Sequence, residues 1–341
     1  MKNFWIFAFL LIALVLIDAS ASMALVVGEP NDVNQNDVNK PINLLQNSPA
    51  GQLGESNGSA ANGDLMNAVD VEGPNTPAGY IGGDAFNLGF SELLKNYVDA
   101  DGLVNYPKLR RFRNELNIVV EKLASVRPEV YITWSRNEKI AFWINAYNIC
   151  TLKGIIDNYP IVPSKFMLLF YPANSVMHIQ GLRDKKFFMI MGIQYTLDEI
   201  ERDVLLGRFE EPLACFAVCY GTIASASIRP EPYIGKLVDR QLAEQAKNFF
   251  ARPGAFRIDD AGGVVHISSI FKMYKWREES LIKKYGTNKL FREHTDIDRA
   301  VLNLIKDYIS EPNQEFLTRR QYSVEYEKYN WQLNEQPQTN N

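Results

Sequence analysis

Few side chains in this chain have the chemistry of a nucleophile or a base. The cysteines are Cys150, Cys215 and Cys219, and the histidines are His178, His266 and His294. Nucleophilic catalysis needs a Cys or Ser with a base within reach. Ser225 and Ser227 lie in Gly221-Thr222-Ile223-Ala224-Ser225-Ala226-Ser227, a run of small residues suited to an exposed loop. No sequence neighbour supplies a base there, so His178 or His266 would have to arrive through the fold. Cys150 with His266 is a second conceivable pair, but Cys150 falls in the middle of a helical pattern. No helix dipole lowers its pKa there, and an inert core thiol is expected. The three histidines are far apart and lack partners at metal-ligand spacing, so no metal site and no cofactor are expected. Asp198, Glu199 and Glu201 are paired carboxylates, with Asp198 and Glu201 neighbours on a helix. They follow Thr196 in a capping-box pattern, where negative charge suits the helix N-terminus, and the cap explains them better than acid–base chemistry.

The element that must position the serines is the stretch from Glu211 to Tyr233, EPLACFAVCYGTIASASIRPEPY. Its apolar run reads as a buried strand over Phe216–Tyr220 that feeds the small-residue loop and ends on Arg229-Pro230-Glu231. The longest helix is expected over about Arg136 to Asn158, apolar nearly all round and therefore central and buried, ended by Pro160 and Pro163. Asn145 and Asn148 lie within it. Buried amides must be hydrogen-bonded, and the small-residue loop is their natural partner.

Helical spacing also predicts helices from Phe90 to Tyr97, Leu109 to Leu123, Thr196 to Leu206, Ile234 to Phe250, Ser269 to Tyr285 and Asp296 to Ile309. Hairpins are expected around Gly192 and around Ala261-Gly262-Gly263, with a short strand at Val104–Tyr106. The sum is a single mixed α+β domain, helix-rich, with a small mainly antiparallel sheet around a buried central helix.

At 341 residues and a net charge of −4, the chain is long enough for an ample core and gives no support for nucleic-acid binding. Lys2, the apolar run Phe4 to Ile17 and Ala19-Ser20-Ala21 read as a signal peptide over residues 1–21, with an N-terminal anchor as the alternative. Residues 22–83 read as a disordered Asn/Gly/Pro-rich linker, within which a short helix around Leu65 to Val69 is conceivable. The domain is expected over 84–311 and a polar, partly docked tail over 312–341. Export places the cysteines in an oxidising compartment, where one disulfide from Cys150 to Cys215 or Cys219 remains open.

AFWINAYNICTLKGIIDNYP (Ala141 to Pro160), FSELLKNYVDADGLVNYPKL (Phe90 to Leu109), YTLDEIE (Tyr195 to Glu201), RPEPY (Arg229 to Tyr233) and ISSIFKMY (Ile267 to Tyr274) together resemble the domain of unknown function 547 family, across about Phe86 to Ile309. The resemblance implies a mixed α/β domain, often in exported bacterial proteins. It also implies a site of thiol and imidazole groups suited to a cysteine hydrolase or transferase. This chain departs from that pattern in its reactive groups. Arg202 and Cys215 stand where the family has His, Tyr220 and Ser225 where it has Cys, and Arg277 near the place of an Asp.

The resemblance therefore points to an exported, periplasmic or secreted, non-catalytic relative, a binding or interaction module in the cell envelope or outside it. Its partner would be a small molecule, a peptide or an envelope component, with no nucleic acid and no membrane contact beyond the signal segment. Asn145, Asn148, Tyr220, Ser225, Arg229 and Glu231 would frame the site. The alternative is a hydrolase or acyl transferase with Ser225 as nucleophile. An architectural analogy with papain-like enzymes, which share the chain order of Cys150 before His266, is also open.

Overall fold

A computed structural model gives the structure of the protein and describes residues 87–337. The expected signal peptide, linker and Leu65–Val69 helix, and residues 338–341, lie outside the described residues.

The centre of the fold is a helix from Arg136 to Ile156 (α5). Ser135 opens it with a capping box. Its hydroxyl accepts from the Glu138 N–H at 3.2 Å, and the Glu138 carboxylate accepts from the Ser135 N–H at 2.7 Å. From Ile140 to Ile156 every residue except Lys153 is buried. An all-round apolar helix must be covered on every side. Four helices precede it: α1 (Leu88–Tyr97), α2 (Tyr106–Arg111), α3 (Arg113–Ala124) and α4 (Pro128–Thr133). Of these, α3 packs directly on α5 and α1 packs on α3.

The strands form two small sheets. In the first, β1 (Phe188–Ile190) pairs antiparallel with β2 (Ile193–Tyr195). Met191 and Gly192 turn between them at φ 53° and 74°, the two positive values that a tight hairpin turn needs. Then α6 (Leu197–Glu199) continues directly into a π-helix over Ile200–Arg208. After α7 (Val238–Phe250), β3 (Phe256–Asp259) pairs antiparallel with β4 (Val264–Ser268). The helices α8 (Lys275–Tyr285), α9 (Asp296–Lys306) and α10 (Glu311–Arg319) follow, and β5 (Ser323–Glu327) returns to pair parallel with β4. The helix-rich α+β class holds, with the strands divided between two sheets.

Four expectations are corrected. Leu109 to Leu123 is two helices, broken at Phe112. Val104 is held by isolated bridges to Val98 and Glu335 in place of a strand. Phe216–Tyr220 is not a strand. Pro212–Phe216 winds as a 3-10 helix and the chain then runs irregularly. The polar residues after Glu311 supply α10 and β5, so the described part of the expected tail is built into the fold.

Asp298 anchors that C-terminal strand. Its carboxylate accepts from Thr295 Oγ1 at 2.6 Å and from the Tyr326 hydroxyl on β5, with Lys272 Nζ at 3.3 Å. Burial works to raise its pKa, but these donors and the Lys272 charge outweigh burial and hold the carboxyl below its usual range. A depressed carboxyl contributes stability above its unfolded pKa and loses it as pH falls through the folded value. The wild type is therefore expected to melt above Asp298→Asn at neutral pH. The gap should close as pH drops through and below the ordinary carboxylate range, as read by thermal melts across that range.

Candidate functional site

The irregular stretch 217–234 is mostly buried, and buried peptide groups need partners. A strand would find them in a ladder; here side-chain amides supply them. Asn148 Nδ2 donates to the Ala217 carbonyl at 3.0 Å, and its Oδ1 accepts from the Cys219 N–H at 2.9 Å. Asn145, one turn earlier on α5, grips the far end. Its Nδ2 donates to the Tyr233 carbonyl at 2.8 Å and its Oδ1 accepts from the Tyr233 N–H at 2.9 Å. From α7, Gln241 Nε2 donates to the Pro232 carbonyl at 3.0 Å and Gln245 Nε2 to the Ser227 carbonyl at 2.9 Å. Arg252 Nη2 donates to the Ser225 carbonyl at 2.9 Å. Arg229 binds Glu231 and, at 3.1 Å, Glu244, so the Arg-Pro-Glu segment is pinned to α7. Between the two clamps Gly221 turns at φ 73°, where a Cβ would stand 2.5 Å from Ile155 of α5.

Ser225 is buried inside this loop. Its hydroxyl lies 2.9 Å from the Thr222 carbonyl and 3.2 Å from the Ala226 carbonyl, and it accepts from the Tyr220 N–H at 3.2 Å. Cys219 Sγ is its remaining neighbour, at 3.7 Å. Among the described residues no His, Lys or carboxylate is in hydrogen-bond reach of it. The expectation of an exposed serine is thus overturned by the amide clamps, which draw the loop inward.

Tyr220 points into a buried ion cluster. Its hydroxyl lies 2.7 Å from each carboxylate oxygen of Glu201, which is fully buried in the π-helix. Arg277 of α8 donates to Glu201 Oε1 and, at 2.7 Å, to the Ile270 carbonyl. Arg183 Nη2 donates to Glu201 Oε2 at 3.1 Å and approaches Asp198 Oδ1 at 2.6 Å, while its Nη1 donates to the Tyr147 hydroxyl. The Arg183 guanidinium sits 4.1 Å from the Tyr220 ring centroid and 4.9 Å from that of Tyr274. Burial pushes Tyr147 well above its usual pKa and Tyr274 up to about 12. Two carboxylates face two guanidiniums, which lets the charges stay buried.

Sequence reasoning missed this cluster. Glu199 does fill the capping box, accepting from the Thr196 N–H at 2.7 Å. Asp198 and Glu201 turn instead to Arg183. The usable signal was the departure at Arg277, a cation that needs a buried anion.

The C-terminal residues seal the loop. Ile223 N–H donates to the Gln332 carbonyl at 2.8 Å, and Asn334 N–H to the Gly221 carbonyl at 3.2 Å. Asn334 accepts from the Tyr106 hydroxyl at 2.7 Å and its Nδ2 lies 3.5 Å from Cys219 Sγ. Tyr329 and Thr222 share a hydroxyl contact at 2.8 Å.

Of the other candidates only Cys219, beside Ser225, joins the site. Cys150, Cys215 and Cys219 are free and buried, with no disulfide among them. Burial raises the pKa of all three, that of Cys215 to about 12. The Cys150–His266 pair fails because the thiol is sealed in α5, while His266 on β4 faces Glu327 at 3.5 Å and Glu325 at 3.9 Å. His178 contacts the Pro172 carbonyl at 2.9 Å and His294 stacks on Tyr322. Arg202 pairs at the surface with Asp203. Among the described residues no group of three or more His, Cys, Asp or Glu could hold a metal ion.

Fold and site together define an α+β domain whose central helix clamps a buried, internally bonded loop. Residues 131–250 match the model of the family described as "Protein of unknown function, DUF547". That span contains α5, the Tyr195–Glu201 motif, the clamped loop and α7, and it bears out the resemblance read from those motifs. No curated protein matches the chain, and no solved structure matches it.

Two outcomes test this geometry. Arg277→Met removes one cation from a buried carboxylate and is expected to destabilise by about 3–5 kcal/mol. Tyr220→Phe, which removes one hydroxyl, should cost about 1–3 kcal/mol; denaturant unfolding of both variants reads the difference. In the native protein none of the three thiols should react with a thiol reagent, and all three should react once it is unfolded without reductant.

Proposed function

We propose that this protein is an exported, non-catalytic DUF547-type module that acts by binding in the cell envelope or outside it. One observation carries the reading. Tyr220 and Arg277 stand where the resemblance implies a Cys and, nearby, an Asp, and both are bonded to the same buried carboxylate, Glu201. Exchange of the two reactive positions has produced a charge-balanced, hydrogen-bonded plug in place of a nucleophile and its helper.

Binding would use the outer side of this cluster. There Tyr274 and Trp276 stack with ring centroids 4.9 Å apart and planes 10° from parallel, beside the part-exposed Arg183 and Asp198. Stacked rings next to a guanidinium suit a planar or anionic group on a small molecule, a peptide or an envelope component. Export is supported by the sequence of the N-terminus, Lys2 followed by Phe4–Ile17 and Ala19-Ser20-Ala21.

The alternative, a hydrolase or acyl transferase that uses Ser225, requires a base at that hydroxyl. The hydroxyl's partners are two backbone carbonyls, one backbone N–H and a buried thiol.

The test is a broad hydrolase and transferase screen of the protein beside Ser225→Ala and the double variant Tyr220→Cys/Ser225→Cys. No turnover that depends on Ser225 is expected. Turnover by the wild type that vanishes in Ser225→Ala, with the variant still folded, would overturn the reading.

A further inference from the structure

Exposed large apolar residues of the described chain are concentrated in one loop. Between α5 and the 3-10 turn at Val176–His178, Val162 is 81% exposed and Leu169 75%, and Phe166, Leu168 and Phe170 are exposed beside them. Isolated apolar residues on a surface are ordinary, but five within the nine residues 162–170 form a patch that calls for a partner.

Part of the backbone of this loop is bonded from within. Leu168 N–H donates to the Ser164 carbonyl at 3.0 Å, and Leu169 N–H to the Phe166 carbonyl at 3.2 Å. Phe170 and Tyr171 N–H both donate to the Met167 carbonyl, at 3.0 and 2.9 Å. Pro163 has no N–H, and Ser164 N–H donates to His178 Nδ1 at 3.3 Å. The four N–H groups from Leu168 to Tyr171 are thus paired within the loop, which lowers the cost of bringing that stretch to an apolar boundary. At the base, Tyr171 packs edge-on against Trp331 at 5.4 Å, the amphipathic pair favoured at a membrane–water boundary.

The charge around the loop has one sign in excess. From Asn158 to Leu182 the sequence holds no Asp or Glu, while Lys165 is exposed in the middle of the loop. At its root Lys153 and Lys186 share a single carboxylate, Asp157, and Arg110 donates to the Tyr159 carbonyl at 3.1 Å. Asp157 and Glu335 are bonded within this group, the latter to the Tyr159 hydroxyl, and exposed Asp184 and Lys185 adjoin Lys186. Five cations against three anions complement a negatively charged headgroup layer.

We propose that the 161–171 loop docks this domain on an anionic lipid bilayer surface, with Phe166, Leu168, Leu169 and Phe170 in the acyl boundary and Lys165 among the headgroups. Composition gave no reason to expect membrane contact beyond the N-terminal segment. No described helix is long and apolar enough to cross a membrane, so the contact is interfacial. It does not depend on whether the Glu201 site binds or catalyses.

The native thiols are buried, so Leu169→Cys in the full chain offers a selectively reactive thiol for an environment-sensitive NBD label. Mixed with vesicles of phosphatidylcholine and phosphatidylglycerol, this label should shift to the blue and brighten severalfold. Doxyl groups on the lipid tails should quench it. Phosphatidylcholine alone or high salt should weaken the response, and the same label at Lys289→Cys should stay unchanged. This local signal reads the loop even where the N-terminal segment binds vesicles by itself. No response at Leu169 on either vesicle overturns the proposal. So does a response that appears without lipid and tracks dimer formation in sedimentation, which would assign the loop to a second copy of the chain.

Discussion

Asn145 and Asn148 impose the constraint from which the rest of the site follows. Both amides lie in a helix that is buried on all sides, where an unpaired amide would cost several kcal/mol (~2–7 on transfer scales). Neither can reach water, so each must find backbone groups that are themselves unpaired. The stretch between Ala217 and Tyr233 supplies them at its two ends. Helix and loop are therefore mutually required: the loop cannot be buried without the amides, nor the amides without the loop. Gln241 and Gln245 of α7, and Arg252 just beyond its end, extend the same principle from the other side.

The ion cluster sits on this frame. Glu201 can be fully buried only because Arg277 and Arg183 bring compensating charge and Tyr220 brings a donor. Removing either cation would leave an unbalanced anion in a low-dielectric interior. Tyr220, Arg277 and Glu201 are thus coupled, and the identities of the first two make sense only together. Their coupling argues for a role in holding shape. The part-exposed Tyr274, Trp276 and Arg183 form the outer edge of the cluster.

The C-terminal segment completes the enclosure. Residues 330–336 run between the 221–224 turn and Val104, with backbone hydrogen bonds to both. Asn334 closes over Cys219. The lid on the loop therefore comes from outside the span that matches the family model. The exposed apolar loop at 161–171 lies within that span, yet nothing in the described chain covers it.

Much of the architecture was legible from local patterns. The apolar surface of α5 marked a buried helix, and Asn145 and Asn148 marked loop anchors. Thr196 and Glu199 marked a helix start, and Gly192 and Gly263 marked turns; each depends on neighbours a few residues apart. The misreadings have one cause. Phe216–Tyr220 has a strand's composition, but its backbone is satisfied by side chains 69 or more residues upstream and by α7, so no ladder forms. Ser225 looked exposed because its neighbours are small, yet smallness is also what allows the loop to pack against α5. The residues after Glu311 looked like a tail because they are polar, although their backbone is what pairs with β4 and the loop. By itself, then, the sequence determined helix positions, caps and turns, because these are properties of residue type and short spacing. Only the tertiary structure decided that Glu201, Arg183, Arg277 and Tyr220 meet and that Ser225 is sealed, because a buried charge and a buried peptide group take their partners from wherever the fold brings them.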